Sequence, residues 1–355
     1  MTADVNRLVI LAPNWLGDAV MALPAMADVR RAYEGARVTI AARPSVAGLF
    51  SLVPDVDEVV VLDSASAHGT TASVRALATG AHDVALLLPN SFRAAWLVRR
   101  AGIRHRWGYG GASRGWLLTR SIRRPNGSGH HVAYYQHLTR ELGMPTGAAE
   151  PRLEISEEAK ASARAQLREA GNERGSRLIV LAPGAAYGTA KQWVPRHVTA
   201  LIRVLTVDGD KCVLVGSQSD AAAGTAIIGA LPPDSARRVV NLIGSTTVVQ
   251  LAGVLGAADV CVGNDSGAMH LAAALGTPVV ATFGPTDERV TSPVGRAGTP
   301  AVVLTNQVWC RPCMLRECPI DHSCMTGITP DSVHEAVMHV MPVARRFSAA
   351  NLEKR

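Results

Sequence analysis

The sequence lacks several features that would assign it to common classes of protein. It contains no apolar run of roughly 18 residues or more, so no helix is predicted to span a membrane. Its first residues, MTADVNRLVILAPNWLGD, reach a charge and a turn too early for a signal peptide, and we therefore expect a cytoplasmic protein. No G-x-G-x-x-G follows the first predicted strand of either half, which argues against a dinucleotide-dependent dehydrogenase.

Acidic residues are also missing from a long stretch of the first half. Residues 84–140, here called the arginine segment, contain none, but they contain ten arginines with Trp and Tyr interleaved, and the whole chain has a net charge of +7. A solvated basic face would normally include balancing Glu, and guanidinium groups suit phosphate, so the segment predicts an anionic partner. A membrane surface, a phosphorylated substrate and nucleic acid are the alternatives. No helix-turn-helix, RNP or zinc-finger spacing supports nucleic acid.

The length and the pattern of apolar runs predict two α/β domains. A chain of 355 residues exceeds the usual size of one core. Near-continuous apolar strands alternate with helices, which is typical of parallel sheets covered on both faces. The Pro- and Gly-rich stretch 144–155 reads as a linker, so we predict domains at 1–150 and 151–330. A C-terminal helical segment, 331–355, is expected to pack back toward the first domain. Pro24 should kink or divide the first helix.

Residues 262–286, VGNDSGAMHLAAALGTPVVATFGPT, predict a strand, a tight turn, a small-residue helix and a second strand. The first N–H groups of such a helix lack backbone partners and the helix dipole adds positive potential, so an anion is favoured at the turn. Gly267 allows a ligand to approach the backbone, and Asp265 and Ser266 can cap the helix and hydrogen-bond sugar hydroxyls. The segment predicts a site for a sugar diphosphate or, alternatively, an ordinary strand-to-helix turn with an Asx cap.

Most of the cysteines lie close together near the C-terminus. Cys212 and Cys261 fall in predicted strands and are expected in the core. The other four lie within residues 309–325, WCRPCMLRECPIDHSCM, and are Cys310, Cys313, Cys318 and Cys324. Clustered thiols in a cytoplasmic chain favour a metal over disulfides, but this spacing is not that of the paired C-x2-C motifs of a zinc ribbon. The segment is therefore either a structural zinc or iron–sulfur site or a tightly packed loop without a metal, and the packed loop is the preferred interpretation.

Four segments resemble the lipopolysaccharide heptosyltransferases of glycosyltransferase family 9. They are APNWLGDAVMALPAM (12–26), APGAAYGTAKQWVP (182–195), GNDSGAMHLAAALGTPVVATFGPT (263–286) and the cysteine-rich segment, whose C-x2-C-x4-C-P is more similar to type II members than to type I. The resemblance extends over essentially the whole chain. It implies the GT-B architecture, in which two Rossmann-like α/β domains have parallel sheets that face each other across a cleft. It also implies transfer of L-glycero-D-manno-heptose from ADP-heptose to heptosyl-Kdo2-lipid A, with inversion and with neither a metal nor a cofactor.

The resemblance selects between alternative roles for two charged residues. Asp18 follows the first predicted strand, with Gly17 expected to give the turn its freedom; from its position it is a general base or a helix N-cap. The resemblance implies that Asp18 is the family's catalytic aspartate, which takes the proton from the acceptor hydroxyl. Lys191 follows strand 177–184 and is a surface lysine or a phosphate ligand. The resemblance implies that Lys191 is the family's phosphate-binding lysine, which stabilises the charge on the departing ADP.

Further residues of the second half are expected to contact the donor, in roles that follow from the resemblance and from their positions in turns. We expect Tyr187 and Gly188 to contact the donor through their backbone. Asp265 is expected to accept hydrogen bonds from the heptose hydroxyls, and Ser266 and Gly267 are expected to donate hydrogen bonds to the diphosphate. His270 faces either the phosphate or the core, Gln218 occupies the place of a relative's ribose-binding Glu, and Thr246 is expected near the adenine.

The arginine segment is assigned to the acceptor side. Arg93, Arg120, Arg123 and Arg124 are expected to bind an acceptor whose Kdo carboxylates and lipid A phosphates are anionic, and the protein is expected at the inner face of the cytoplasmic membrane as a peripheral protein, with no nucleic acid partner. Two other functions are possible on the same fold. One is a nucleotide-sugar 2-epimerase, which would give the arginine segment no obvious purpose, and the other is a non-catalytic phosphoglycan-binding protein.

Overall fold

The computed structural model describes residues 5–54, 56–63, 66–111, 113–127, 129–169 and 176–341. The chain divides into two compact units, Met1–Glu154 (unit 1) and Ile155–Arg355 (unit 2). Each unit has one six-stranded sheet in which every pairing is parallel. Within the described ranges, no helix is both long and apolar enough to cross a membrane.

The sheet of unit 1 has the order β3-β2-β1-β4-β5-β6. Its central strands are apolar and buried because helices cover both faces of the sheet. The strands are β1 (Arg7–Leu11), β2 (Arg37–Ala42), β3 (Glu58–Val61), β4 (Val84–Leu87), β5 (His105–Tyr109) and β6 (Arg120–Ile122).

The helices of unit 1 begin and end largely where capping residues place them. Ser66 and Ser91 cap the helices that follow β3 and β4 through their side-chain oxygens. The first helical pattern is divided at Ala22, two residues before Pro24, as predicted. The helices are α1 (Leu16–Met21), α2 (Leu23–Ala32), α3 (Pro44–Ala47), α4 (Ala67–Thr79), α5 (Phe92–Arg100) and α6 (His131–Glu141).

Unit 2 repeats the same strand order. Its sheet runs β12-β11-β10-β7-β8-β9 and is built from β7 (Leu178–Ala182), β8 (Lys211–Leu214), β9 (Val239–Asn241), β10 (Val260–Asn264), β11 (Val279–Phe283) and β12 (Ala301–Thr305). The helices are α7 (Glu157–Glu169), α8 (Pro195–Val207), α9 (Ala221–Gly229), α10 (Pro233–Ala236), α11 (Val248–Ala257), α12 (Gly267–Leu275), α13 (Glu288–Thr291), α14 (Ser323–Thr326) and α15 (Pro330–Val340).

The C-terminal helix packs onto unit 2 over its described length. Val333, Val337 and Val340 of α15 are buried in the core of unit 2, and α15 contacts α8 and β11. The expected packing toward the first domain concerned residues 331–355. Residues 331–341 pack within unit 2, because their apolar stripe meets this core, and residues 342–355 lie outside the described part of the chain.

The strand order defines where ligands are expected. In doubly wound sheets, ligands bind at the carboxyl ends of the strands where the strand order reverses. That point lies between β1 and β4 in unit 1 and between β7 and β10 in unit 2. Asp18 follows β1, Lys191 follows β7 and Asp265 follows β10. The topology therefore places all three charged residues next to a switch point.

Candidate active site

Asp18 lies in the first turn of α1, just after β1. The N-cap of this helix is Trp15, so Asp18 is the third helical residue and not the cap. The expectation that Gly17 gives a turn its freedom is wrong, since Gly17 is part of the helix. The Asp18 side chain is 27% exposed, and its Oδ1 lies 3.2 Å from Nδ1 of His131. The carboxylate is thus half-buried, accessible and held by an imidazole.

His131 is a site residue that the sequence analysis missed. It is the first residue of α6, whose N-cap His130 accepts a hydrogen bond from the Val132 N–H. Tyr135, one turn further along α6, has a raised pKa because the ring is buried and because the charge of Asp18 disfavours the phenolate. The sequence signal was a cluster of His and Tyr residues, HHVAYYQH (130–137), within the arginine segment.

In unit 2, the structure brings Lys191 and Asp265 together. Lys191 Nζ donates to Asp265 Oδ2 at 2.6 Å, and Thr286 Oγ1 donates to the same oxygen at 2.8 Å. The side chains of Lys191 and Asp265 are 13% and 5% exposed. The Lys191 ammonium also lies 4.8 Å from the centre of the Tyr187 ring. Two residues that were predicted to contact different parts of the donor therefore form one buried ion pair.

Asn264 lies between the two segments that carry the ion pair, the Lys191 loop and the Asp265 turn. Its amide donates to the carbonyl oxygens of Pro183 and Gly184 at 2.7 and 3.2 Å, and its oxygen accepts from the Trp193 N–H and the Thr282 hydroxyl, both at 3.0 Å. The side chain is buried and all of these contacts are internal. Asn264 thereby joins the loop that carries Lys191 to the turn that carries Asp265. In the sequence, Asn264 is recognisable only as part of the turn after β10.

The start of α12 carries the residues predicted to bind the diphosphate. Ser266 is the N-cap, but its side chain makes no capping bond and its buried Oγ has no hydrogen-bond partner in the described structure. The predicted capping by Asp265 and Ser266 is therefore wrong, because Asp265 is engaged by Lys191 and Thr286. Gly267 begins the helix. His270 is buried, with Nε2 4.0 Å from Asp265 Oδ1, so it faces the carboxylate.

The cysteine-rich segment packs against the Lys191 loop. The Tyr187 hydroxyl donates to the Met314 carbonyl at 2.8 Å, and the Ala190 N–H donates to the Arg316 carbonyl at 2.9 Å. A Cβ on Gly188 would lie 2.3 Å from the Arg316 carbonyl oxygen, so this close approach requires glycine. His322 Nε2 donates to the Ala190 carbonyl at 2.7 Å. The segment therefore fixes the loop that carries Lys191.

The cysteines of this segment are free thiols. Cys324 is buried, whereas Cys310, Cys313 and Cys318 are partly exposed. Burial raises the pKa of Cys324, and the three neighbouring thiols raise it further. Among the residues described in the structure, no group of three or more His, Cys, Asp or Glu side chains could hold a metal ion.

Gln218 and Thr246 lie in the loops that follow β8 and β9. Gln218 is exposed in a 3₁₀ turn capped by Ser217, and its Oε1 lies against Gly244, where an added Cβ would be 2.2 Å away. Thr246 is partly buried and precedes the N-cap of α11, Thr247. The structure therefore places Gln218 beside the loop that contains Thr246, at the same end of the sheet as Lys191.

Several arginines of the arginine segment have structural roles. Arg114 is fully buried and donates to the carbonyl oxygens of Tyr109, Pro89 and Ser91, and burial lowers its pKa to about 10. The interpretation of the whole segment as a phosphate-binding surface is wrong for this residue, because it satisfies buried carbonyls at the ends of β4 and β5. Arg106 likewise donates to the carbonyl of Leu117 at 2.6 Å.

The four predicted acceptor residues are exposed but have different surroundings. The Arg93 guanidinium donates to the Thr70 hydroxyl. The Arg120 guanidinium lies 5.4 Å from the centre of the Trp107 ring and donates to the Leu142 carbonyl. Arg123 and Arg124 instead line an open pocket of about 480 Å³, together with Gly110, Gly111, Ser121 and Ile122. The structure therefore brings Arg123 and Arg124 into one concave site and places Arg93 and Arg120 outside its lining.

Comparison with known proteins identifies the family. The profile of glycosyltransferase family 9 (heptosyltransferase) matches residues 70–323. The chain belongs to glycosyltransferase family 9. It is 28% identical over 348 residues to lipopolysaccharide heptosyltransferase 2 of Salmonella typhimurium, covering 95% of each chain. It is similar to the solved structure of Escherichia coli ADP-heptose LPS heptosyltransferase II, with a TM-score of 0.81, 28% identity and coverage of 94% of this chain and 98% of the other.

A second solved structure supports the fold alone. An E. coli heptosyltransferase solved with ADP, 19% identical, matches with a TM-score of 0.70 over 94% of this chain and 99% of the other. These comparisons confirm the predicted family, the predicted α/β fold with two Rossmann-like sheets, and the predicted heptosyltransferase class of enzyme.

Proposed function

We propose that this family 9 enzyme transfers L-glycero-D-manno-heptose from ADP-heptose to the heptosyl-Kdo2-lipid A inner core of lipopolysaccharide, with inversion at the anomeric carbon. In the transfer, the acceptor oxygen forms a bond to the anomeric carbon as the bond to ADP breaks. The acceptor hydroxyl loses its proton to a base, and the bonding electrons leave with the diphosphate. The names of the relatives at 28% identity support the donor and the acceptor class.

The observation that carries the proposal is the buried Lys191–Asp265 pair at the switch point of unit 2. A buried ammonium next to the start of α12 is suited to a diphosphate, since both the cation and the helix N-terminus favour an anion. The unpartnered Ser266 hydroxyl at this helix start is a further hydrogen-bond donor. We assign Tyr187, Gly188, Gln218, Thr246, Gly267 and His270 to the same donor site.

Lys191 and Asp265 then have complementary roles. Negative charge on the ADP increases as the glycosidic bond breaks, so Lys191 stabilises the transition state more than the bound donor. When Lys191 turns to the diphosphate, Asp265 keeps its bond from Thr286. The position on Oδ2 that Lys191 leaves is then able to accept a hydrogen bond from a heptose hydroxyl. The ion pair of the free protein is thus replaced by two contacts to the donor.

Asp18 is assigned as the base that takes the acceptor proton. A base must reach the hydroxyl within hydrogen-bond distance, and the Asp18 carboxylate is partly exposed next to the switch point of unit 1. His131 contacts Oδ1, which leaves Oδ2 for the acceptor. His131 is therefore assigned as a positioning residue that holds the carboxylate in one orientation.

The pocket lined by Arg123 and Arg124 is assigned to the anionic groups of the acceptor. Two exposed guanidinium groups in one concave site fit carboxylates or phosphates by bidentate hydrogen bonds. Since the acceptor is lipid-anchored, we also propose that the protein associates with the inner face of the cytoplasmic membrane. The domain assignment follows: residues 1–150 bind the acceptor and 151–330 bind the donor.

One assay separates this function from the two alternatives. The protein is incubated with ADP-heptose and deacylated heptosyl-Kdo2 acceptor, and the products are identified by mass spectrometry and NMR. We expect a heptosylated acceptor and free ADP. An epimerised donor with an unchanged acceptor would indicate a 2-epimerase, and binding without any product would indicate a phosphoglycan-binding protein.

A further inference from the structure

Unit 1 exposes two neighbouring aromatic side chains. Phe92 is 42% exposed and Trp116 is 67% exposed, and their ring centres lie 6.3 Å apart. This chain has few aromatic residues, 4% of the total, and Phe50 and Phe283 are almost completely buried. A contiguous exposed apolar patch in such a chain marks an interaction surface.

The helix that carries Phe92 also carries three exposed arginines, one of which stacks on Trp116. The Arg99 guanidinium lies 5.7 Å from the centre of the Trp116 ring, and the exposed Arg100 has its guanidinium 5.7 Å from the centre of the Trp96 ring on the same helix. Arg93 is exposed in the first turn of the same helix. The buried face of α5 is apolar and consists of Ala94, Ala95, Leu97 and Val98. The outer face of α5 with Trp116 is therefore both aromatic and cationic, and the segment from residue 84 to residue 140 contributes no acidic side chain to it.

We propose that this surface, consisting of Phe92, Arg93, Arg99, Arg100 and Trp116 and here called the aromatic–arginine face, docks on an anionic lipid membrane. Trp and other aromatic rings favour the boundary between headgroups and acyl chains. Arginine extends its charged end to the headgroups while its stem stays on apolar surface, and basic residues close to an anionic leaflet are attracted to it.

The position of the face agrees with a lipid-anchored acceptor, and in this respect the inference rests on the proposed function. Phe92 directly follows Ser91, the cap of α5 at the carboxyl end of β4. β4 pairs with β1, and Asp18 lies in the turn of helix after β1. The face therefore begins at the edge of the sheet that carries the proposed base. A membrane there would present the acceptor next to Asp18.

The test uses the full-length protein and vesicles that contain no acceptor. Phosphatidylethanolamine vesicles with phosphatidylglycerol are the anionic probe, and phosphatidylcholine vesicles are the neutral one. Two variants address the face, Phe92→Ser with Trp116→Ser, and Arg99→Gln with Arg100→Gln. Trp309→Ser is the matched aromatic control, because Trp309 is 89% exposed in unit 2. Arg196→Gln with Arg203→Gln is the charge-matched control, because both arginines are exposed on α8.

We expect both face variants to lose about tenfold or more in affinity for the anionic vesicles, since each basic residue at such a surface contributes about fivefold. The arginine variant should also reduce the dependence of binding on salt, and both controls should bind like the wild type. Activity toward an acceptor embedded in vesicles should fall, with turnover of the deacylated acceptor unchanged. Folding of each variant is checked by its melting temperature.

Two results would overturn the inference. If the face variants bind vesicles as the controls do, the aromatic–arginine face is not the membrane-docking surface. If, in addition, the wild type binds single-stranded nucleic acid and the face variants do not, the face is assigned to base stacking. If the variants lose turnover of the deacylated acceptor, the face belongs to the acceptor site. Failure of the proposed function is a separate outcome, since vesicle binding is measured without donor or acceptor.

Discussion

Lys191 Nζ lies 2.6 Å from Asp265 Oδ2, so the cation assigned to the leaving group is paired, in the free protein, with the carboxylate assigned to the sugar. Both side chains are largely buried. Removing one partner of a buried pair leaves an uncompensated charge, which typically costs about 3–5 kcal/mol. The donor diphosphate can avoid this cost only if it replaces the carboxylate at Lys191 while donor hydroxyls replace the ammonium at Asp265. The proposed donor site therefore predicts that donor binding and the exchange of this ion pair are one event.

Replacement of Lys191 by Ala should reduce kcat more than it raises the KM for ADP-heptose, because the charge on the leaving group is greatest in the transition state. The variant should also melt at a lower temperature, since Asp265 stays buried without its cation. Steady-state kinetics and thermal melting with and without ADP check both effects. A change in KM alone would assign Lys191 to ground-state binding.

Replacement of Asn264 by Ala should lower the free energy of unfolding by about 2–4 kcal/mol, because buried groups at four contacts lose their partner. It should also weaken donor binding, since the Lys191 loop is no longer joined to the Asp265 turn. Thr277→Val is the matched control, because Thr277 makes one buried hydrogen bond to the Leu255 carbonyl, remote from the proposed donor contacts. Equal donor affinity in both variants would show that Asn264 only stabilises the fold.

Replacement of Arg123 and Arg124 together by Ser should raise the KM for the acceptor and leave the KM for ADP-heptose nearly unchanged, because only these two of the four predicted arginines line the pocket. Arg120→Ser is the control. It should lose the contacts to Trp107 and Leu142, and hence stability, with little effect on acceptor KM. Loss of donor affinity in the double variant would instead place the pocket in the nucleotide site.

Replacement of His131 by Ala should reduce kcat by about tenfold or more, because a misplaced base is far less effective, with no change in donor affinity. His131→Gln should recover part of the activity, because its amide can still donate to Asp18. His130→Ala is the matched control, since it removes the cap of α6 and reduces stability without touching Asp18. If His131→Ala and His130→Ala have the same kcat, His131 has no positioning role.

The fold could be predicted largely from local patterns. Buried strands such as β1 and β10 are apolar runs bounded by turns, and Pro24 marks a helix boundary by its geometry alone. The elements that were not predicted include the four-residue helices α3, α10, α13 and α14, and also β6 and α6. β6 and α6 lie in a segment rich in Arg and His, where polar residues interrupt the apolar period that would reveal a strand or a helix.

The contacts of the site could be predicted only in part, because they join residues that are distant in sequence. The pair Asp18 and His131 is separated by 113 positions, and Lys191 and Asp265 by 74. Arg114 shows a second limit. Its burial results from carbonyl groups that converge at the ends of β4 and β5, and no local pattern distinguishes it from an exposed arginine such as Arg123.

The central claim is base-catalysed transfer at Asp18, and the variant Asp18→Asn tests it most directly. Two quantities are measured: the single-turnover rate of heptose transfer from ADP-heptose to the deacylated acceptor, and the affinity for the donor. The amide has the same shape but cannot take a proton, so the rate should fall by about 100-fold or more while donor affinity is retained. A rate close to that of the wild type would contradict the account, and Asp18 would then be a residue of α1 without a catalytic role.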